Sequence, residues 1–80
     1  DLGIKGLKLY PNPVNDIFKL EFQGQGSFTV TIRDHFGRKV KSLESSFQLQ
    51  EIDVSELAVG PYFIEVLLKN KRAVIKLIKA

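Results

Sequence analysis

Apolar and polar residues alternate one by one through most of this eighty-residue chain. Phe18, Leu20 and Phe22 are separated by Lys19 and Glu21, Phe28, Val30 and Ile32 by Thr29 and Thr31, and Tyr62, Ile64 and Val66 by Phe63 and Glu65. A period of two sends successive side chains to opposite faces of an extended strand, so the pattern calls for sheets with one face covered and one face wet. Antiparallel sheets tolerate a wet face, whereas parallel sheets are usually covered on both. The alternation and its turn signals place seven strands at about residues 4–10, 17–23, 27–33, 38–44, 47–53, 61–68 and 72–79. The weakest strand signal falls at 23–26 and 44–48. The expected fold is therefore all-β: a seven-stranded antiparallel immunoglobulin-like β-sandwich with one short helical turn near residues 55–58. A small open barrel is the structural alternative. The cysteine pair and tryptophan of true immunoglobulin domains are absent.

Eighty residues make one domain, 1–80, with residues 1–3 as a linker remnant. A core this small buries only about 60% of the surface its unfolded chain exposes. No cysteine offers a disulfide or a thiolate metal site, and the single histidine, His35, has no ligand at metal-binding spacing. Phosphate-cradling glycine loops, paired-carboxylate motifs and serine elbows are also missing, so neither enzyme nor cofactor is expected. The net charge of +3 is slight for a nucleic-acid binder, and the cations are not interleaved with aromatics. They are concentrated instead: Lys69, Lys71, Arg72, Lys76 and Lys79 fall in the last twelve residues with no acid among them.

Three phrases and a tail carry the turn chemistry. In YPNPVND, Pro11 and Pro13 fix φ and remove two backbone donors, so the stretch cannot lie inside a sheet ladder. Asn12 is pushed towards an extended conformation by the proline after it, giving a stiff crossover between sheets. That crossover reads either as a rigid corner or as a recognised surface feature. RDHFGRKV reads as a hairpin, with Asp34 opening the turn and Gly37 at the left-handed site of a bulge. His35 then sits exposed at the tip without a catalytic partner. In IDVSELAVGPYFIEV, Asp53 or Ser55 caps the turn, Leu57 drops into the core as a plug, and Gly60 provides the exit before Pro61. The tail RAVIKLIKA has apolar residues in both strand phases, Ala73, Ile75 and Leu77 in one, Val74 and Ile78 in the other. It closes the sandwich, and it can also be a displayed signal.

These phrases, in this order and followed by the basic apolar tail, resemble the type A C-terminal sorting domain of the type IX secretion system from about Leu7 to Lys79. Members typically carry D-[LIV]-S-x-L-x-x-G-x-Y, and Asp53, Ser55, Leu57, Gly60 and Tyr62 occupy its fixed positions. Pro11, Asn12, Pro13 and Gly37 stand at the other family markers. Many members stop at the place of Lys79, whereas Ala80 follows here. The resemblance implies a sorting signal in Lys76, Leu77, Ile78, Lys79 and Ala80. It implies an upstream cargo domain carrying the signal peptide, passage through the periplasm, and delivery by the type IX translocon and its shuttle proteins to the outer membrane, cell surface or exterior. Cleavage by a sortase-like cysteine peptidase and attachment of the cargo to lipopolysaccharide are further implications, as is a source among Bacteroidota.

A second reading is a fibronectin-like spacer or carbohydrate-binding module of a secreted enzyme, for which Tyr10, Phe36, Phe47 and Phe63 are the outward aromatics. Under either reading a final strand with apolar residues on both faces can pair with a partner sheet or with its own copy.

Overall fold

The computed structural model describes residues 4–24, 26–46 and 49–80. The linker expected at residues 1–3, Gln25 of the turn before the third strand, the start of the fifth expected strand and the aromatic candidate Phe47 lie outside the described residues. Seven strands run in chain order: β1 (Lys8–Tyr10), β2 (Ile17–Glu21), β3 (Phe28–Asp34), β4 (Lys39–Ser45), β5 (Leu49–Asp53), β6 (Gly60–Leu68) and β7 (Lys71–Lys79). The pairings between these strands are antiparallel and form two sheets, β1-β2-β5 and β4-β3-β6-β7, with a parallel bridge from Val14 to Lys79 outside them. The architecture is the immunoglobulin-like sandwich rather than a barrel.

The alternation becomes the core directly. Phe18 and Leu20 of β2 and Ile52 of β5 are buried in one cluster with Val30, Ile32, Ile64, Val66 and Leu77 of the larger sheet. Burying a side chain of this size contributes about 1.5–3 kcal/mol, which is how so short a chain offsets its ordering entropy. Phe22 meets Phe28 edge to face, with ring centroids 4.9 Å apart, just beyond the end of β2. On the wet side of the smaller sheet, Lys19 lies opposite Glu51 and Lys8 opposite Glu21.

Three expectations are corrected. The first strand begins at Lys8, because Gly6 takes φ +69° and the Lys5 carbonyl turns to accept the Gln23 N–H at 2.9 Å. The element expected near 55–58 is one hydrogen-bonded turn and not a helical one: Leu57 N–H donates to the Val54 carbonyl at 3.0 Å, and no helix occurs among the described residues. Gly60 and Pro61 end the segment before a second turn could offset the costly helix nucleus. The plug is also Val54, which is completely buried, while Leu57 is half-buried and packs against the core from its rim.

Candidate recognition surface

The first phrase and the tail, far apart in sequence, meet at the outer edge of β7. Pro11 and Pro13, each preceded by a cis peptide bond, have no N–H to offer a neighbouring strand. The side chain of Asn12 between them does that work. Its Nδ2 donates to the Lys76 carbonyl at 2.8 Å, and its Oδ1 accepts the Ile78 N–H at 3.0 Å. A primary amide thus supplies the donor and acceptor that a pairing strand would supply. Buried Val14 continues the match through its backbone. Its N–H donates to the Ile78 carbonyl at 2.8 Å, and its carbonyl accepts the Ala80 N–H at 2.7 Å.

From Lys76 to Ala80 the edge of β7 is therefore closed by the crossover. Arg72 and Val74 point their backbone groups the same way by the strand's alternation, and the crossover does not reach them. Strand addition, which the doubly apolar tail suggested, has no open edge over the last five residues. What those residues show to a partner is side chains. Leu77 is buried in the core, and Lys79 is buried with its Nζ donating to the backbone oxygen of Ala80 at 3.0 Å. Lys76 and Ile78 face outward opposite Phe63 and Pro61 of β6.

Further along this outer face, Glu65 pairs with Arg72 and, at 3.6 Å, with Arg33. The hydrogen bond from Arg72 outweighs partial burial and, with the charge of both guanidiniums, holds the Glu65 carboxyl below its usual range.

The second and third phrases meet at the same end of the larger sheet, on the other side of β6 from the crossover. Gly37 N–H donates to the Asp34 carbonyl and Asp34 N–H to the Arg38 carbonyl, both at 2.9 Å, and Gly37 takes φ +84°. This is the three-residue hairpin with a left-handed glycine that the spacing called for. Asp34 accepts from the N–H groups of Phe36 and Arg38 and from the Arg38 guanidinium. Burial pushes its carboxyl up, but these donors together hold it below the ordinary value. Gly60, at φ +145°, and Tyr62, whose hydroxyl donates to the Ala58 carbonyl at 2.7 Å, face the hairpin across an open cleft of about 210 Å³.

Asp53 and Ser55 brace the intervening turn: the Ser55 N–H donates to Asp53 Oδ1 at 2.8 Å, which lowers the Asp53 carboxyl with further help from Lys41. Lys41 also reaches the Asp53 carbonyl at 2.8 Å and Glu56 at 3.3 Å, a cross-sheet tie that no phrase revealed. The marker residues accordingly form two junctions at one end of the larger sheet, linked through β6, where Gly60 lies across from Lys79, and through the Val54 N–H, which donates to the Asp16 carbonyl at 2.7 Å.

His35 is exposed at the hairpin tip, its ring 4.2 Å from that of Phe36. Among the described residues, no group of three or more His, Cys, Asp or Glu side chains gathers as a metal site would require. The outward aromatics are scattered. Tyr10 sits on the smaller sheet with its hydroxyl donating to Glu21, Phe36 is at the hairpin tip under Arg38, and Phe63 is on the far face of the larger sheet. Among the described residues they form no shared platform for a sugar ring.

A family model described as a secretion system C-terminal sorting domain matches residues 8–80. No curated protein matches the chain.

Proposed function

The chain belongs to the family of type IX secretion C-terminal sorting domains, and from that premise we propose that it works as a folded address, read from side chains on the outer face of its terminal strand. Membership implies export of an attached cargo to the cell surface or exterior. In the proposed sequence the cargo reaches the periplasm first, the domain engages the translocon and its shuttle proteins, and a sortase-like cysteine peptidase then removes it. Transfer of the cargo to lipopolysaccharide follows. Residues 1–80 serve this role as one module.

The observation that carries the reading is the pair of hydrogen bonds at Asn12, which donates to the Lys76 carbonyl and accepts the Ile78 N–H. It locks the last residues into an ordered strand that displays Lys76 and Ile78 while Leu77 anchors the strand in the core. The same bonds close the edge of the sheet, so what remains for a partner to read is the outward side chains.

The test is a neutral reporter placed between a signal peptide and residues 1–80, expressed in a host with the type IX machinery. The reporter should appear at the surface, and the double substitution Lys76→Glu, Ile78→Ser should hold it in the periplasm. Substitution is the better probe here than deletion of 76–80, which would also remove buried Leu77 and strip Asn12 and Val14 of their partners. Circular dichroism of the variant should match the parent. A folded double variant that reaches the surface at the parental rate would refute the reading.

A further inference from the structure

The outer face of β6 and β7 is more apolar than a wet sheet face requires. Phe63, Leu67, Val74 and Ile78 are exposed by 36%, 40%, 47% and 37%, and Pro61 lies directly across from Ile78. The charge woven into this stripe is net positive. Lys76 stands opposite Phe63, Arg72 opposite Leu67, and Arg33 joins from β3. Glu65 is the only acid in either strand, and it is already held by Arg33 and Arg72. With that acid already occupied, a net-positive border around an apolar stripe favours a partner of opposite sign.

We propose that this face is the docking site for a protein surface that is apolar at its centre and acidic at its border; the inference rests on the sorting reading and names the surface and partner chemistry behind it. A second copy of the chain fits poorly, because it brings the same net-positive face, whose single acid, Glu65, is already held by Arg33 and Arg72. A lipid surface also fits poorly. Membrane-seated side chains must reach several ångströms into the interface, whereas these four are each more than half covered by their neighbours.

Strands of nine residues are about 30 Å long, and two of them make a face about 10 Å wide, so the stripe covers on the order of 300 Å². A stable interface needs about 800 Å² per partner. The complex is therefore a transient one, as suits a domain that hands its cargo onward.

The experiment puts the photo-crosslinker p-benzoylphenylalanine in place of Phe63, or as a control in place of Ile17, which is similarly exposed on the smaller sheet. Both variants are made in the full reporter fusion in a host with the type IX machinery, and both must match the parent by circular dichroism. The expected result is a protein adduct from position 63 and none from 17, with a contact peptide rich in Asp or Glu around aliphatic residues. Adding Lys76→Glu should lower its yield roughly five- to tenfold, and raised ionic strength should lower it as well.

An adduct of twice the fusion's own mass, equal adducts from both positions, or a contact peptide without acidic residues would overturn the proposal. So would binding of the purified fusion to phosphatidylglycerol vesicles that Lys76→Glu abolishes. The two readings fail separately. A position-63 adduct of the expected chemistry on a reporter that stays in the periplasm sinks export and keeps the surface. Surface delivery that is indifferent to Phe63→Ser and Leu67→Ser but lost in the double variant Lys76→Glu, Ile78→Ser sinks the β6–β7 surface and keeps the terminal-strand address.

Discussion

Replacing Asn12 with alanine isolates the strap across β7. The side chain makes two hydrogen bonds to the strand backbone, at 2.8 and 3.0 Å. A net contribution of about 0.5–1.5 kcal/mol each would give 1–3 kcal/mol. Asn12 is exposed, so water can reach the vacated carbonyl and N–H, and the lower part of that range applies. We expect Asn12→Ala to cost about 1–2 kcal/mol, which lowers Tm by roughly 5–15 °C in a domain of this size. Asn15→Ala is the control, since Asn15 is exposed in the same crossover and makes no side-chain bond to β7. Asn12→Asp keeps the acceptor for the Ile78 N–H but sets an oxygen against the Lys76 carbonyl, so it should be no better than alanine. Hydrogen exchange localises the effect: the Ile78 amide should lose protection in Asn12→Ala, while the amide of Leu77, in the hydrogen-bonded body of the sheet, should follow global stability. Equal melting temperatures for Asn12→Ala and Asn15→Ala, with the Ile78 amide equally slow in both, would refute the strap.

The other predictions concern the fold that presents this surface. Leu20→Ala should cost about 2–5 kcal/mol because Leu20 is completely buried, and Leu57→Ala only about 1–2, since its site is half-open; matching urea midpoints would mean that Leu57 is a core residue after all. Gly37→Val and Gly60→Val should each cost roughly 1–3 kcal/mol from backbone strain alone, because a Cβ at either position would meet nothing within 4 Å. An unchanged melting temperature in either variant would remove the strain argument at that site. The carboxyls of Asp34, Asp53 and Glu65 all lie below their ordinary range. Their contribution to stability is therefore fully present above the unfolded values of about 4 and is lost as pH falls through the lower folded values. Thermal scans should show a flat Tm above about pH 5 and a decline below about pH 4, and a decline that set in near neutrality would contradict this assignment.

The strands were legible because inward Phe18 and Leu20 of β2 and Val30 of β3 are flanked largely by polar residues, while β6 and β7 alternate less cleanly, with Phe63, Leu67, Val74 and Ile78 on the outer face. Which strand neighbours which was not. Alternation assigns Phe18 and Ile64 to inward faces without saying that they belong to different sheets. Val54 and Leu57 are both apolar and lie three apart in a turn, where no period operates, so size favoured leucine while the turn geometry buried valine. Lys79 shares its strand phase with Ala73 and Leu77 and so belongs to the inner face by period. Its charge argued for solvent, and the nearby Ala80 oxygen resolves the conflict. Asn12 was the hardest to read. Two flanking prolines signal a corner whose backbone has lost its donors, but nothing local reveals that the end of β7 runs beside it.

That pairing changes what a terminal signal of this kind can be. A linear tail would be legible in any state of the chain, folded or not. Here Leu77 and Lys79 face inward while Lys76 and Ile78 face outward, so the outward pair acquires its spacing and its neighbours Phe63 and Pro61 only when β7 has joined β6. The crossover then fixes the strand from the other side through Asn12 and Val14. Lys76, Phe63, Val74 and Arg72 consequently exist as one surface only in the folded domain, and an unfolded domain carries the same residues without the surface. Under the sorting reading, the address and the evidence of folding are the same object. A partner that binds the β6–β7 face would therefore discriminate against unfolded domains without a separate checking step.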